Sequence, residues 1–168
     1  FPKAHAVAYV MMAFRIAYFK VYYPAAFYAS YFTVHAHEVD ADLLVSGISG
    51  IKAKMKEIKE KGNDTSAKEE KMYSLLEVAL EMYLRDLRFE RVNLQRSDAV
   101  KFLIEGQNNS LLCPFISIEG LGKTAALNII RMRKKKAFSS QEDLRNRCKL
   151  SKTILEMLEQ HGALEGLP

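Results

Sequence analysis

The stretch Pro114 to Lys136, PFISIEGLGKTAALNIIRMRKKK, narrows the fold more than any other part of the chain. Ile116 and Ile118 lead into Gly120-Leu121-Gly122, and apolar residues at Ala125, Leu127, Ile129 and Ile130 then keep a helical pattern. Two residues without a Cβ around one leucine predict a tight turn, because glycine reaches φ > 0 and lets a foreign surface approach the backbone. The turn opens into a helix N-terminus, where unpaired N–H groups and the positive end of the macrodipole make an anion site. Arg131, Arg133 and the run Lys134-Lys135-Lys136 end the same helix, so the anion expected is a nucleic-acid phosphate. The plainer alternative is a glycine-rich helix start that only turns the chain. The basic run and a second hairpin further on weigh against it.

This stretch resembles the helix-hairpin-helix element of DNA-binding proteins, with Gly120, Leu121, Gly122 and Ala125 or Ala126 filling the motif. The resemblance implies that the N–H groups from Gly120 to Thr124 hold a phosphate and that Lys123 adds charge. It also implies duplex binding that is largely blind to sequence, since phosphate contacts position a protein without specifying bases. A second unit follows. Ser139 and Glu142 have capping-box spacing ahead of a helix over 140–148, Lys149-Leu150-Ser151 makes the connection, and Ser151 caps a helix over 152–160 that ends at Gly162. This hairpin lacks Gly-x-Gly. It is expected to be mainly the packing partner of the first unit, with Lys149 and Lys152 adding weaker phosphate contact.

The net charge of +5 is unevenly spread. Residues 1–37 hold three basic residues and no acidic one, 38–106 hold 12 basic and 14 acidic, and 107–168 hold 10 basic and 6 acidic. A chain basic at both ends fits contact with a polyanion at particular places. Apolar residues make up 49%, which excludes wholesale disorder. Cys113 and Cys148 lack metal-ligand spacing and do not make a disulfide framework, so a reducing cytoplasm is expected. His35 and His37 alternate beside Glu38 and Asp40; a solvated strand edge is the preferred reading over a metal site.

Residues 1–34 are dense in Ala, Met, Tyr and Phe. Arg15, Lys20 and Pro24 interrupt them, and the aromatics form no belts, which argues against a membrane span. A signal peptide also fails for want of a charged start and a cleavage site. Two helices are predicted, over about 4–22 and 24–32, with Pro24 at position N1 of the second. The first is apolar nearly all round, so it is expected to be sandwiched within a larger body. The opening Phe-Pro-Lys-Ala-His-Ala and the segment Arg-Ile-Ala-Tyr-Phe-Lys-Val are similar to the fingers region of bacterial C-family replicative DNA polymerases of the PolC type. In that family a tandem helix-hairpin-helix follows the fingers, and the resemblance runs along nearly the whole chain, most weakly over 38–72. It implies a C-terminal polymerase piece, with Phe1 in place of Met in keeping with a fragment or a processed product. Lys3 and His5 have two readings: nucleotide binding on the entry side of the fingers, or a helix start with a packing histidine.

Between these ends the expected elements are a strand over 31–37, a connection over 43–50, a helix over 51–61 ending at Gly62, and a helix from the Ser66–Glu69 capping box to about Leu87. Short strands over 89–94 and 100–105 follow, with Asn108 and Asn109 as turn formers. The fold class is therefore mainly α with a small β-sheet (α+β). It divides into fingers-type helices and a first strand over 1–37, a connector with the sheet over 38–112, and a tandem helix-hairpin-helix over 113–168.

No paired aspartates suited to two-metal phosphoryl transfer stand in the sequence. The resemblance puts the catalytic carboxylates and their Mg2+ in a palm upstream of this stretch, leaving no catalytic residue, metal site or cofactor here. The partners implied are template–primer duplex DNA and the rest of a nucleotidyltransferase chain at the bacterial nucleoid, with no membrane. A sliding clamp is not among them, because the end at Leu167-Pro168 lacks the family's C-terminal clamp-binding peptide. The competing function is a non-catalytic tandem helix-hairpin-helix adaptor in repair or DNA uptake.

Overall fold

The computed structural model describes residues 2–107 and 109–167. Phe1, Pro168 and the expected turn former Asn108 lie outside the described residues. Among the described residues, eight α-helices and a three-stranded sheet make a mainly α structure with a small β component, as the sequence predicts. Helix α1 spans Lys3–Tyr22 and α2 spans Pro24–Val34, with Pro24 opening α2 where its missing N–H costs nothing. Helix α1 buries none of its residues. Its last turn is held by Lys20 Nζ on Glu81 Oε2 (2.7 Å) and by Arg85 Nη1 on the Lys20 carbonyl (2.9 Å).

The strand expected over 31–37 does not form. Residues 31–34 complete α2, and 35–38 turn back with the Glu38 N–H on the His35 carbonyl. The buried residues of α2 are Ala25, Tyr28, Ala29 and Phe32, a helical stripe that overrides the short alternation read from Tyr31 to His37. His35 and His37 meet Glu38, which Lys71 also holds at 2.7 Å.

The connection expected over 43–50 is also mistaken. Asp40 Oδ1 accepts from the Asp42 N–H (2.9 Å) and starts α3, Ala41–Val45. Gly47, at φ +75°, makes the bend into α4, Gly47–Glu60, whose Ile51 and Ile58 are buried. Helix α5, Ala67–Leu84, carries the predicted capping box in full, with Ser66 N–H on Glu69 Oε2 and Glu69 N–H on Ser66 Oγ. It stops at Leu84 rather than Leu87.

The strands are β1 (Arg88–Glu90), β2 (Leu103–Glu105) and β3 (Ser110–Leu112), in the order β1-β3-β2. Strand β3 runs parallel to β1, with Phe89 opposite Leu111, and antiparallel to β2. Both predicted strands are shorter than expected because side chains compete for the backbone. Asn93 Oδ1 takes the N–H groups of Gln95 and Arg96, and Asp98 Oδ1 takes those of Val100 and Lys101. Phe32, Phe89 and Phe102 meet with ring centroids 4.9–5.9 Å apart and join α2 to the sheet.

After a 3-10 turn over Phe115–Ser117 come α6 (Lys123–Lys135), α7 (Gln141–Cys148) and α8 (Lys152–Gln160). The cap of α7 lies one residue later than predicted. Ser140 Oγ accepts from the Asp143 N–H, and the Asp143 carboxylate takes the Ser139 N–H. Ser151 caps α8 as expected, and Gly162, at φ +83°, ends it. There the Gly162 N–H bonds Glu159 O and the Ala163 N–H bonds Leu158 O, the two bonds of a Schellman motif.

The helical tail is joined to the body through fully buried His161. The Val92 N–H donates to its Nε2 (2.8 Å), which places the ring proton on Nδ1, facing Asp42 Oδ1 at 2.7 Å. Arg91 Nη1 donates to the His161 carbonyl (2.6 Å), and Arg133 Nη1 to that of Leu94 (2.7 Å). No helix among the described residues is long and apolar enough to cross a membrane.

Candidate nucleic-acid interface

Gly120 takes φ +75°, and the Leu121 N–H closes the hairpin on the Ile118 carbonyl (3.1 Å). Leu121 is buried, so it anchors the loop and offers a ligand only its backbone. Gly122 is the N-cap of α6 at φ −71°, ψ 158°, a conformation open to any residue, and it makes no side-chain cap. The N–H groups of Gly122, Lys123, Thr124 and Ala125 have no acceptor among the described residues; Ala126 is the first to bond, to Gly122 O. Lys123 and Thr124 are exposed beside them, and Lys123 has no ion-pair partner among the described residues.

The second hairpin follows the same backbone course. Lys149 takes φ +54° where Gly120 stands, Leu150 is buried like Leu121, and Ser151 caps at φ −68°, ψ 159°. The sequence signal is the repeat of Leu-x-Lys-Thr in Leu121-Gly122-Lys123-Thr124 and Leu150-Ser151-Lys152-Thr153. The difference lies at the cap. Ser151 Oγ already takes the Ile154 N–H (3.2 Å), so the second mouth has one donor fewer and a side chain in front.

A groove of about 610 Å³ lies between α6 and the second hairpin, lined by Thr124, Asn128, Arg131 and Lys149 among others. Asn128 carries no motif that marks it in the sequence. Its Nδ2 donates to the Cys148 carbonyl (2.9 Å) and its Oδ1 accepts from Arg131 Nη2 (2.8 Å), fixing both hairpins and Arg131 in one arrangement. On the other side of the first mouth lies a cleft of about 560 Å³ whose walls carry Glu38, Asp40 and Glu119 with Lys68 and Lys123. Burial, then the neighbouring Asp42 and Glu119 charges, raise the Asp40 carboxyl above its usual range. Gly120 to Lys123 line this cleft, whereas Thr124 and Ala125 line the groove.

The basic residues that close α6 are not all alike. Arg133 is half-buried, held by Leu94 O, and burial lowers its pKa. Lys134, Lys135 and Lys136 are exposed and have no ion-pair partner among the described residues. Thirteen residues of helix put them about 20 Å from the mouth. Lys3 and His5 sit in the first turn of α1, with the His5 ring 4.5 Å from that of Tyr9. Burial raises both thiols, that of Cys148 to about 11, which removes thiolate chemistry from this region. Among the described residues no group of three or more His, Cys, Asp or Glu could hold a metal ion.

Two hairpins of one shape each open a helix, and the family model described as a helix-hairpin-helix motif matches residues 86–168, just under half of the chain. Along all 168 residues the chain is 54% identical to a protein named DNA polymerase III PolC-type from Halalkalibacterium halodurans. It is 56% identical over the same length to the protein of that name from Caldanaerobacter subterraneus, and 54% identical to that from Bacillus subtilis. The chain spans 12% of the length of each of these relatives.

Proposed function

We propose that this chain is a piece of a PolC-type DNA polymerase III and that it grips duplex DNA through the amides at the mouth of α6. The observation that carries the reading is Gly122. Its backbone angles suit any residue, and a Cβ there would meet nothing within 4 Å. A serine at this place would cap the helix, as Ser151 does at the second hairpin. The bare cap forgoes the side-chain bond that Ser151 makes, at a cost of about a few tenths of a kcal/mol, and leaves four free N–H groups open to close approach of a phosphate. Lys123, Thr124 and Arg131, with Lys149 across the groove, complete a sequence-independent grip, and the Lys134–Lys136 run reaches a further phosphate.

In the same reading α1 and α2 belong to the fingers of the longer polymerase, and the apolar surface of α1 packs against parts of that protein outside this chain. DNA synthesis is the work of the longer protein, with its metal-holding carboxylates elsewhere. The test is Gly122→Val, with binding to random duplex DNA measured across a salt series. Each charge-assisted amide–phosphate bond broken costs roughly 1.5–3 kcal/mol, so affinity should fall at least about tenfold, equally on unrelated sequences. Unchanged affinity in a folded variant would remove the mouth from the interface.

A further inference from the structure

We propose that Arg147 positions the basic end of α6 for the duplex, a role that rests on the DNA-binding reading above. Helix α6 ends without glycine. Its C-cap, Lys136, is extended at φ −163°, so no left-handed residue satisfies the last carbonyls. Met132 O takes the Lys136 N–H (3.2 Å), and the guanidinium of Arg147, reaching over from α7, adds to that carbonyl and holds the two just past the helix. Nη2 donates to Met132 O (2.7 Å) and Lys136 O (2.8 Å), and Nη1 donates to Ala137 O (3.2 Å). These carbonyls bracket the run, one before Lys134 and two at and after its end. The fork is itself held from two sides. Asp143 Oδ2 accepts from Nη1 at 3.0 Å, and the Phe138 ring lies 4.6 Å from Cζ.

The need for such a device follows from charge. Lys134, Lys135 and Lys136 are consecutive, exposed and without an ion-pair partner among the described residues. Their mutual repulsion opposes a last helical turn that ends without a left-handed cap. A planar fork on three carbonyls opposes it by fixing the backbone on both sides, and it leaves the three ammonium groups free. Lysine at 147 would keep the charge but not the fork. Arg147 thus acts on DNA through the run, with its own donors already used by carbonyls and Asp143.

The experiment is a double-mutant cycle on the intact protein, reading duplex affinity and its salt slope. The variants are Arg147→Lys, the triple Lys134→Gln, Lys135→Gln, Lys136→Gln, and their combination. Arg147→Lys leaves net charge unchanged, yet affinity should fall severalfold. The slope of log K against log salt should drop by about 0.9 for each phosphate that is no longer neutralised. Added to the triple variant it should cost nothing further. Asp143→Asn, which loosens the fork and keeps the arginine, should shift affinity in the same direction by less, and it carries the test if Arg147→Lys does not fold. An equal fall in affinity with and without the lysine run, or an unmoved slope in folded variants, would overturn the proposal. If Gly122→Val weakens binding while these variants do not, only the role of Arg147 fails; if neither weakens it, the DNA reading itself fails.

Discussion

A Cβ on Gly120 would lie 3.5 Å from Ile154 Cδ1 and Met157 Sδ, whereas one on Gly122 would meet open space. Gly120 is therefore the structural glycine, held at φ +75° against α8, and Gly122 is the one free to vary. Gly120→Ala should lower stability by about 1–2 kcal/mol, read as a fall in Tm, whatever happens to binding. Gly122→Ser should do the reverse. It should gain about a few tenths of a kcal/mol from a new cap and, on the proposed reading, weaken the duplex complex, because a hydroxyl then takes one of the four amides. Stability and affinity moving together in that variant would count against the bare mouth. Glu69 supplies a pH test at the same scale. Lys61, then the N–H and hydroxyl of Ser66, hold its carboxyl at about 2, against an ordinary 4.5. A depressed folded pKa means stability present above the ordinary value and lost as pH falls. The start of α5 should loosen between pH 4.5 and about 2, and amide protection factors at residues 66–70 in wild type and Glu69→Gln would show it; wild-type protection that stays constant across that range would refute it.

Elements with strong, long patterns are legible in the sequence. Helix α5 is marked at its start by Ser66 and Glu69, and α2 by Pro24; α8 is bounded by Ser151 and Gly162. Elements set by tertiary packing are not. Tyr31 to His37 alternates like a strand, but Tyr28 and Phe32 point one way only in a helix, and the aromatic core takes them. The hairpins show the same divide. Gly-Leu-Gly announces the first mouth, while the second is easily undervalued because Lys149 is not glycine, although its φ of +54° makes the same turn. Asn128 is silent in the sequence, since its partners at Cys148 and Arg131 meet it only after α6 and α7 pack. Phe32 is the element-scale test. It is fully buried among Phe89 and Phe102, so Phe32→Ala should cost about 3–5 kcal/mol and broaden the urea transition, with α2 separating from the sheet.

At the scale of the whole molecule, α1 stands apart. Phe14 is 73% exposed and Tyr9 66%, and Val7, Met11 and Ile16 are more than half exposed. In isolation the chain should bind a hydrophobic dye and self-associate. Glu at Tyr9, Met12 and Phe14 should abolish both while leaving the unfolding midpoint unchanged, because none of these side chains is in the core. A lowered midpoint would mean that α1 is part of the folding unit after all. The remainder of the molecule is bound together more tightly than its element count suggests, and His161 is the reason. Its ring clasps the Val92 amide on one side and the Asp42 carboxylate on the other, with no freedom to turn. On the proposed reading, any pull that DNA exerts on the helical tail reaches the start of α3 and the segment after β1 through one imidazole.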